Sequence, residues 1–313
     1  MLPIIKILRL PNLAIIAITQ IFIRYFVIEP LLNANGFVLV LSNFHFILII
    51  ISTVFIAAGG YIINDYYDLK IDLINKPQKA RLNMQLSRQT TMALYYILTF
   101  TGILGGIYVF TVNGLRSINF IFIIIAGLLW FYTATYKKQF IIGNLIVAVL
   151  TAMVPFIVFL CDGITLINIY KEFRINLIFI KLALYITLTY SVFAFLLTLI
   201  REIIKDCEDY EGDLIDDRKT IPLILGTNNA KFIISALIII VEIIVIYILI
   251  KYLLSVSFII FSLLFILLPA NYLLFMIIKA KEKSHYHKAS ILSKIIMAAG
   301  IVSTILIKYH ILA

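Results

Sequence analysis

Charged residues are scarce in this sequence: Asp, Glu, Lys and Arg together make up 13% of the 313 residues, and 63% are hydrophobic. The mean hydropathy is +1.09. A soluble globular domain is about half apolar and about one quarter charged, so this composition excludes a soluble fold. Apolar runs of about 20 residues, long enough to cross a bilayer, recur along the chain. They predict an all-α, polytopic membrane protein.

Cysteine is also nearly absent, with Cys161 and Cys207 as its two instances. The topology derived below places them on opposite sides of the membrane, which excludes a disulfide framework. The first apolar run contains Arg24 and lacks a small-residue cleavage site, so we interpret it as a retained helix. Low-complexity segments and soluble extensions are missing, and residues 1–313 are therefore expected to form a single transmembrane domain.

Nine spans can be drawn from the apolar runs. They lie at roughly 12–32, 44–64, 90–112, 117–136, 140–160, 177–200, 231–250, 256–278 and 289–309. Most of the 26 Lys and Arg residues fall on one side if the N-terminus is cytoplasmic, which puts the C-terminus outside. The formal charge of +10 then reflects basic inner loops facing anionic lipid headgroups, not nucleic acid. The pairs Gly59-Gly60 and Gly105-Gly106 predict close packing between helices.

Acidic residues are few, but most of the 16 lie in two short stretches on the predicted inner side. In the first stretch Asp65, Asp68 and Asp72 are three and four residues apart, a spacing that shares one helical face. Asn64, Asp68 and Asp72 are four and four apart and nearly align as well. The second stretch repeats the three-and-four spacing with Asp206, Asp209 and Asp213.

Crowded carboxylates repel one another unless a cation lies between them. Mg²⁺ prefers oxygen ligands and keeps waters and substrate phosphates in its shell. Basic residues that can neutralise phosphate follow the first stretch and precede the second: Lys76, Lys79, Arg81, Arg201 and Lys205. Two acidic faces at one membrane surface therefore predict Mg²⁺ ions that hold a diphosphate, with an apolar tail between the helices.

The order Asn64-Asp65-x-x-Asp68-x-x-x-Asp72, then Asp209-x-x-x-Asp213, within nine spans, resembles the UbiA-type intramembrane prenyltransferases. The resemblance covers nearly the whole chain and implies a helical bundle around a central cavity open to the cytoplasmic side. It implies Mg²⁺ as cofactor, a prenyl diphosphate and a lipid-like acceptor as substrates, and no obligate protein partner.

The resemblance also implies roles for individual residues. Asn64, Asp68 and Asp72 match the first metal-binding face, Asp209 and Asp213 match the second, and Asp65 matches an acid of less direct role. Tyr132 and Lys137 match a catalytic Tyr/Lys element near the diphosphate, followed by Gly143-Asn144. Asn12 has a counterpart near the cavity, although a helix-start cap explains it equally well.

The run from Arg201 to Asp213 resembles the branch of the family that alkylates geranylgeranylglyceryl phosphate. In that branch Arg201 and Lys205 would bind the acceptor's phosphate. The segment after the first stretch departs from the family pattern, because Lys79 or Arg81 stands in for an expected arginine. The implied reaction ionises the allylic diphosphate, and the acceptor hydroxyl then forms an ether.

Two other functions stay open at this point. An aromatic acceptor, as in quinone or haem side-chain synthesis, uses the same fold. A transporter would place acids along a path through the membrane. The acids here cluster at span ends, and only Glu242 and Glu29 fall within spans, which favours a cavity at the membrane surface.

Overall fold

The computed structural model describes residues 7–69, 72–73, 87–172, 177–252 and 255–312. These residues form helices, turns and short connections, and none of them is in a β-strand. Nine helices within these ranges are long and apolar enough to cross a membrane. They are α1 (Leu10–Asn33), α2 (Asn43–Tyr67), α3 (Arg88–Val112), α4 (Arg116–Ala134), α5 (Ile142–Glu172), α6 (Ile178–Glu208), α7 (Thr227–Tyr252), α8 (Val256–Lys279) and α9 (Lys283–Ile311). The all-α, multi-pass prediction is confirmed.

Two helices extend beyond their predicted ends. α5 continues to Glu172, well past the predicted end of its span at about residue 160. Asp162 lies just beyond that predicted end, and its side chain is buried inside the protein and paired with Arg24. α6 continues to Glu208 and therefore carries the first half of the second acidic stretch on a regular helix.

Prolines shape α1 and α8 in the same way. A π-helical turn, Arg24–Ile28, comes immediately before the segment that contains Pro30, and a second one, Leu263–Leu267, comes just before Pro269. Proline has no N–H to continue the helical ladder, and a π-turn is one way in which a helix adapts to this loss. Pro155, by contrast, lies inside the continuous helix α5.

One compact unit comprises the residues up to Tyr136 together with Met153–Leu188. Within it α2 and α3 pack most extensively, and glycines allow them to approach closely. A Cβ atom on Gly102 would lie 2.8 Å from the backbone oxygen of Ser52, and one on Gly59 would lie 2.3 Å from Thr99 Oγ1. The Gly60 and Gly106 positions face Leu129 and Phe122 of α4 at similarly short range. The predicted close packing at these glycine pairs is confirmed.

The same unit contains a buried ion pair between α1 and α5. Arg24 and Asp162 are 1% and 0% exposed, and their charged groups lie 3.6 Å apart. Arg24 also donates a hydrogen bond to the backbone oxygen of Leu41, whose N–H donates to Asp162 Oδ1 at 2.9 Å. The ring of Phe46 lies under the guanidinium, 4.4 Å from its carbon. The two side chains therefore provide hydrogen-bond partners for the C=O and the N–H of Leu41, which water cannot reach.

The second compact unit comprises Lys137–Ala152 and Thr189–Ala313. Its α7, α8 and α9 pack on one another, and α6 is joined to α9 by a 2.8 Å hydrogen bond between Tyr190 and Ser303. Lys231, near the start of α7, donates to the backbone oxygen of Ala280 just after α8. These contacts fix the helices from which the second acidic stretch extends.

Candidate functional site

The first acidic stretch begins in the last turn of α2 and continues beyond it in helical register. The N–H of Asp68 donates to the oxygen of Asn64 at 2.9 Å, and that of Asp72 donates to the oxygen of Asp68 at 2.8 Å. These bonds between residues four apart place Asn64, Asp68 and Asp72 on successive turns of one face. The backbone therefore has the register that the predicted metal face requires.

Asp65 lies beside that face and has a different partner. Its Oδ1 accepts a hydrogen bond from Arg9 at 2.5 Å, and the Asp65 side chain is 3% exposed. The Arg9 guanidinium also lies 4.9 Å from the centre of the Tyr61 ring. Burial lowers the pKa of Arg9, but the charge and hydrogen bond of Asp65, together with smaller effects of Tyr61 and Asp72, raise that pKa overall. The sequence did not identify Arg9, whose one signal was a cation just before the first span.

The second acidic stretch spans a helix end. α6 stops at Glu208, Asp209 forms a bend, and a short helix follows at Tyr210–Ile215. Backbone bonds continue across the bend, from the N–H of Asp209 to Lys205 at 2.8 Å and from that of Asp213 to Asp209 at 3.0 Å. Lys205, Asp209 and Asp213 therefore follow one another along one face, with a predicted phosphate ligand next to two predicted metal ligands.

Arg201 and Lys205 share one carboxylate. Glu202 accepts from Arg201 at 2.7 Å and from Lys205 at 3.1 Å. The Nε of Arg201 is buried, and no acceptor for it lies within the described part of the chain. A buried donor without an acceptor is costly, and an anion placed next to it removes that cost. The pair thus has the chemistry of a phosphate site.

Asp206, one residue after Lys205, is held by a residue of α5. Asn144 donates through Nδ2 to Asp206 Oδ2 at 2.7 Å. The sequence indicated Gly143-Asn144 only through the family resemblance and assigned it no partner. The contact identifies Asn144 as a residue that orients the second acidic stretch.

Asp213 is the first of four contacting side chains that alternate in charge. It is 2% exposed and lies 3.5 Å from the guanidinium of Arg218. Arg218 donates through Nε to Asp216 at 3.1 Å, and Asp216 also pairs with Lys138 at 3.0 Å. Burial raises the pKa of Asp216, but the hydrogen bonds from Lys138 and Arg218 are stronger in sum and lower it.

The other predicted residues lie as follows. Tyr132 is half-buried in the last turn of α4, and Lys137 lies in the 3₁₀ turn Tyr136–Lys138 that follows. Asn12 occupies the third position of α1, whereas Arg9 is the residue at its N-cap, so the helix-cap interpretation of Asn12 is wrong. Lys79 and Arg81 lie outside the described residues.

The donor atoms of both stretches fit a hard cation. They are carboxylate oxygens and the amide oxygen of Asn64, which Mg²⁺ prefers over nitrogen or sulfur. Among the described residues, however, no three acidic, His or Cys side chains converge as a complete metal site. Such partial ligand sets suit an ion that keeps water and substrate phosphate in its shell.

Comparison with known proteins agrees with these motifs. The sequence model of the UbiA prenyltransferase family matches residues 31–294. A digeranylgeranylglyceryl phosphate synthase from Methanosphaera stadtmanae is 39% identical over 180 residues, which are 56% of this chain and 57% of that protein. The chain spans about half the length of this and the other leading curated relatives it matches.

Solved structures share the fold. One, from work on digeranylgeranylglyceryl phosphate synthase in membranes, has a TM-score of 0.60 at 23% identity and covers 97% of this chain and 98% of that one. Another is a UbiA homologue from Archaeoglobus fulgidus bound to GPP and Mg²⁺, with a TM-score of 0.56 at 16% identity, covering 97% and 99%. The family match extends over most of the chain and includes both acidic stretches. This chain therefore belongs to the UbiA prenyltransferase family.

Proposed function

We propose that this protein transfers a prenyl group, of geranylgeranyl type, from its diphosphate to the hydroxyl of geranylgeranylglyceryl phosphate. The products are an ether lipid and pyrophosphate. The name of the 39% identical relative supports this acceptor. The observation that carries the proposal is the cationic pair Arg201 and Lys205, two turns and one turn before Asp209, in which the buried Nε of Arg201 has no acceptor within the described part of the chain. A phosphorylated acceptor would add a second anion beside Glu202 and an acceptor for the Nε of Arg201.

In this proposal each acidic stretch binds the diphosphate through its own Mg²⁺. Asn64, Asp68 and Asp72 would hold one Mg²⁺, and Asp209 and Asp213 would hold another; a solved UbiA homologue of the same fold was bound to GPP and Mg²⁺. When bound, Mg²⁺ neutralises the charge that develops on the leaving pyrophosphate. Asp65 belongs to the same stretch but binds Arg9, so its part is to keep the stretch in place.

The reaction breaks the bond between the allylic carbon and the bridging oxygen, and pyrophosphate leaves with the electron pair. The acceptor oxygen then bonds to that carbon and loses its proton. Tyr132, Lys137 and the basic segment with Lys79 and Arg81 bind the diphosphate in this scheme. We place Asn12 at the edge of the proposed cavity, on the cytoplasmic side.

The membrane supports this chemistry by excluding water. The nine apolar helices give the prenyl tail an environment that shields the allylic cation from hydrolysis. We place the N-terminus and the active site on the cytoplasmic side and the C-terminus outside, because the inner segments then hold most of the basic residues. The substrates are lipids of this bilayer, and the chain 1–313 acts as one transmembrane domain.

An acceptor comparison tests the proposal. Purified protein in lipid nanodiscs is given labelled geranylgeranyl diphosphate and Mg²⁺, with geranylgeranylglyceryl phosphate in one arm and 4-hydroxybenzoate in another. We expect pyrophosphate and labelled ether lipid in the first arm, and EDTA should stop their formation. Product only with the aromatic acid would overturn the assigned acceptor, and no transfer in either arm would overturn the proposed reaction.

A further inference from the structure

Arg218 lies between two carboxylates in the loop that follows the second acidic stretch. Its guanidinium is 3.5 Å from Asp213 and 3.1 Å from Asp216. The backbone holds it there, because the N–H of Arg218 donates to the oxygen of Asp213 at 3.0 Å. Asp217, with φ at 52°, turns the chain back in the left-handed region to make this possible.

Asp216 has a second cationic partner that fixes its own position. Lys138 lies 3.0 Å from Asp216, and the backbone oxygen of Lys138 accepts from the N–H of Lys219 at 3.0 Å. The connection between α4 and α5 is thus tied to this loop at two points. Lys138 therefore holds Asp216 in a position from which its carboxylate attracts the guanidinium of Arg218.

The four contacting side chains alternate in charge, in the order Lys138, Asp216, Arg218 and Asp213. A cation beside Asp213 opposes the binding of a second cation to the same carboxylate. Asp216 reduces that opposition, because it neutralises Arg218 and draws its guanidinium away from Asp213. Asp216 and Arg218 should therefore affect a metal on Asp213 in opposite directions.

We propose that Asp216 is a positioning residue, which shares Arg218 with Asp213 and so sets the Mg²⁺ affinity of the second acidic stretch. This inference rests on the proposed function only in that Asp213 is taken as a Mg²⁺ ligand. It adds two residues, Asp216 and Arg218, that neither the motif spacing nor the family resemblance singled out for a role.

The test measures Mg²⁺ binding without substrate or turnover. The melting temperature of the purified protein is followed against Mg²⁺ concentration for the unmodified chain, Arg218→Gln and Asp216→Asn. We expect Arg218→Gln to lower the Mg²⁺ concentration at half-effect by roughly threefold or more, since it removes a nearby positive charge. We expect Asp216→Asn to raise it by a similar factor, because the Arg218 guanidinium is then no longer drawn toward Asp216 and away from Asp213.

Asp217→Asn is the matched control. It makes the same change in charge one residue away from Asp216, at an exposed side chain, and asparagine tolerates the left-handed backbone of that position. We expect its half-effect concentration to stay within about twofold of the unmodified protein, since a surface charge is screened. If Asp217→Asn matches Asp216→Asn, general charge and not positioning is the cause.

Lys138→Met keeps the inference testable should Arg218→Gln fail to fold. Asp216 then loses the partner that holds it in place and attracts Arg218 less, so the half-effect concentration should rise even though a positive charge has been removed. Shifts of the same sign in Arg218→Gln and Asp216→Asn, or no shift in either, would overturn the inference alone. An unmodified protein that Mg²⁺ does not stabilise would instead contradict the proposed Mg²⁺ sites, and this inference with them.

Discussion

The Arg9 guanidinium lies 2.5 Å from the carboxylate of Asp65, in the middle of the first acidic stretch. This contact gives Asp65 a different environment from Asp68 and Asp72, although spacing alone places the three acids on one helical face. Asp65 turns toward the start of α1, whereas Asn64, Asp68 and Asp72 follow one another along a single helical face. The charge of a buried carboxylate that pairs with an arginine is already neutralised, so its affinity for a metal ion is lower.

We expect Asp65→Asn and Asp68→Asn to behave differently toward Mg²⁺. Asp68→Asn should weaken Mg²⁺-dependent stabilisation by roughly tenfold or more, because it removes a ligand charge. Asp65→Asn should leave the Mg²⁺ dependence within about twofold but lower the melting temperature, because Arg9 loses its partner. Melting curves at a series of Mg²⁺ concentrations measure both effects, and equal loss of Mg²⁺ binding in the two variants would show that Asp65 is a ligand.

Arg24 and Asp162 should be strongly coupled in stability. Arg24→Met leaves the Asp162 carboxylate buried without its counter-ion, which costs about 3–5 kcal/mol. The double variant Arg24→Met/Asp162→Asn removes both charges and keeps an acceptor for the N–H of Leu41. We expect it to be more stable than Arg24→Met alone by at least about 1 kcal/mol in thermal unfolding. Additive losses across the cycle would show that the two residues act independently.

The α2–α3 contact gives a second stability test with an internal control. Gly102→Ala forces a methyl group to 2.8 Å from the oxygen of Ser52 and should cost about 1–3 kcal/mol. Nothing lies within 4 Å of a Cβ placed on Gly127 of α4, so Gly127→Ala should be neutral or stabilise by up to about 1 kcal/mol. Equal melting temperatures for the two variants would contradict the close approach of these helices.

Arg201 should act on the acceptor's phosphate. Arg201→Gln removes a guanidinium whose buried Nε has no acceptor within the described residues and could donate to the phosphate. The KM for geranylgeranylglyceryl phosphate should therefore rise by roughly tenfold or more. Arg201→Lys should restore part of the affinity, because the charge remains without the planar fork. Arg116→Gln, at an exposed position at the start of α4, serves as the control with unchanged KM. An unaltered KM for the acceptor in Arg201→Gln would exclude this role.

Much of the fold could be predicted because a bilayer imposes simple requirements. Each crossing needs about 20 apolar residues, and all nine spans followed from that rule alone. The rule failed where a polar residue is buried against a distant partner, as with Asp162, because periodicity carries no information on tertiary pairs. α5 therefore continues to Glu172, past its predicted end at about residue 160.

The candidate site could be predicted in part for a related reason. The spacing of Asn64, Asp68 and Asp72 specifies a helical face locally, and the backbone bonds agree with it. The partners Arg9, Asn144 and Arg218 could not be found in this way. Arg9 and Asn144 lie far along the chain from the acids they contact, and Arg218 reaches Asp213 only because the backbone reverses at Asp217.

The most direct test of the account is turnover in Asp68→Ala and Asp209→Ala, one variant in each acidic stretch. Pyrophosphate release from geranylgeranyl diphosphate is measured with geranylgeranylglyceryl phosphate and Mg²⁺, beside a check that each variant is inserted in the membrane. We predict that each variant loses turnover by a factor of roughly 10³ or more, and that EDTA abolishes it in the unmodified protein. Full activity in either inserted variant would contradict the claim that the two stretches together bind the diphosphate through Mg²⁺.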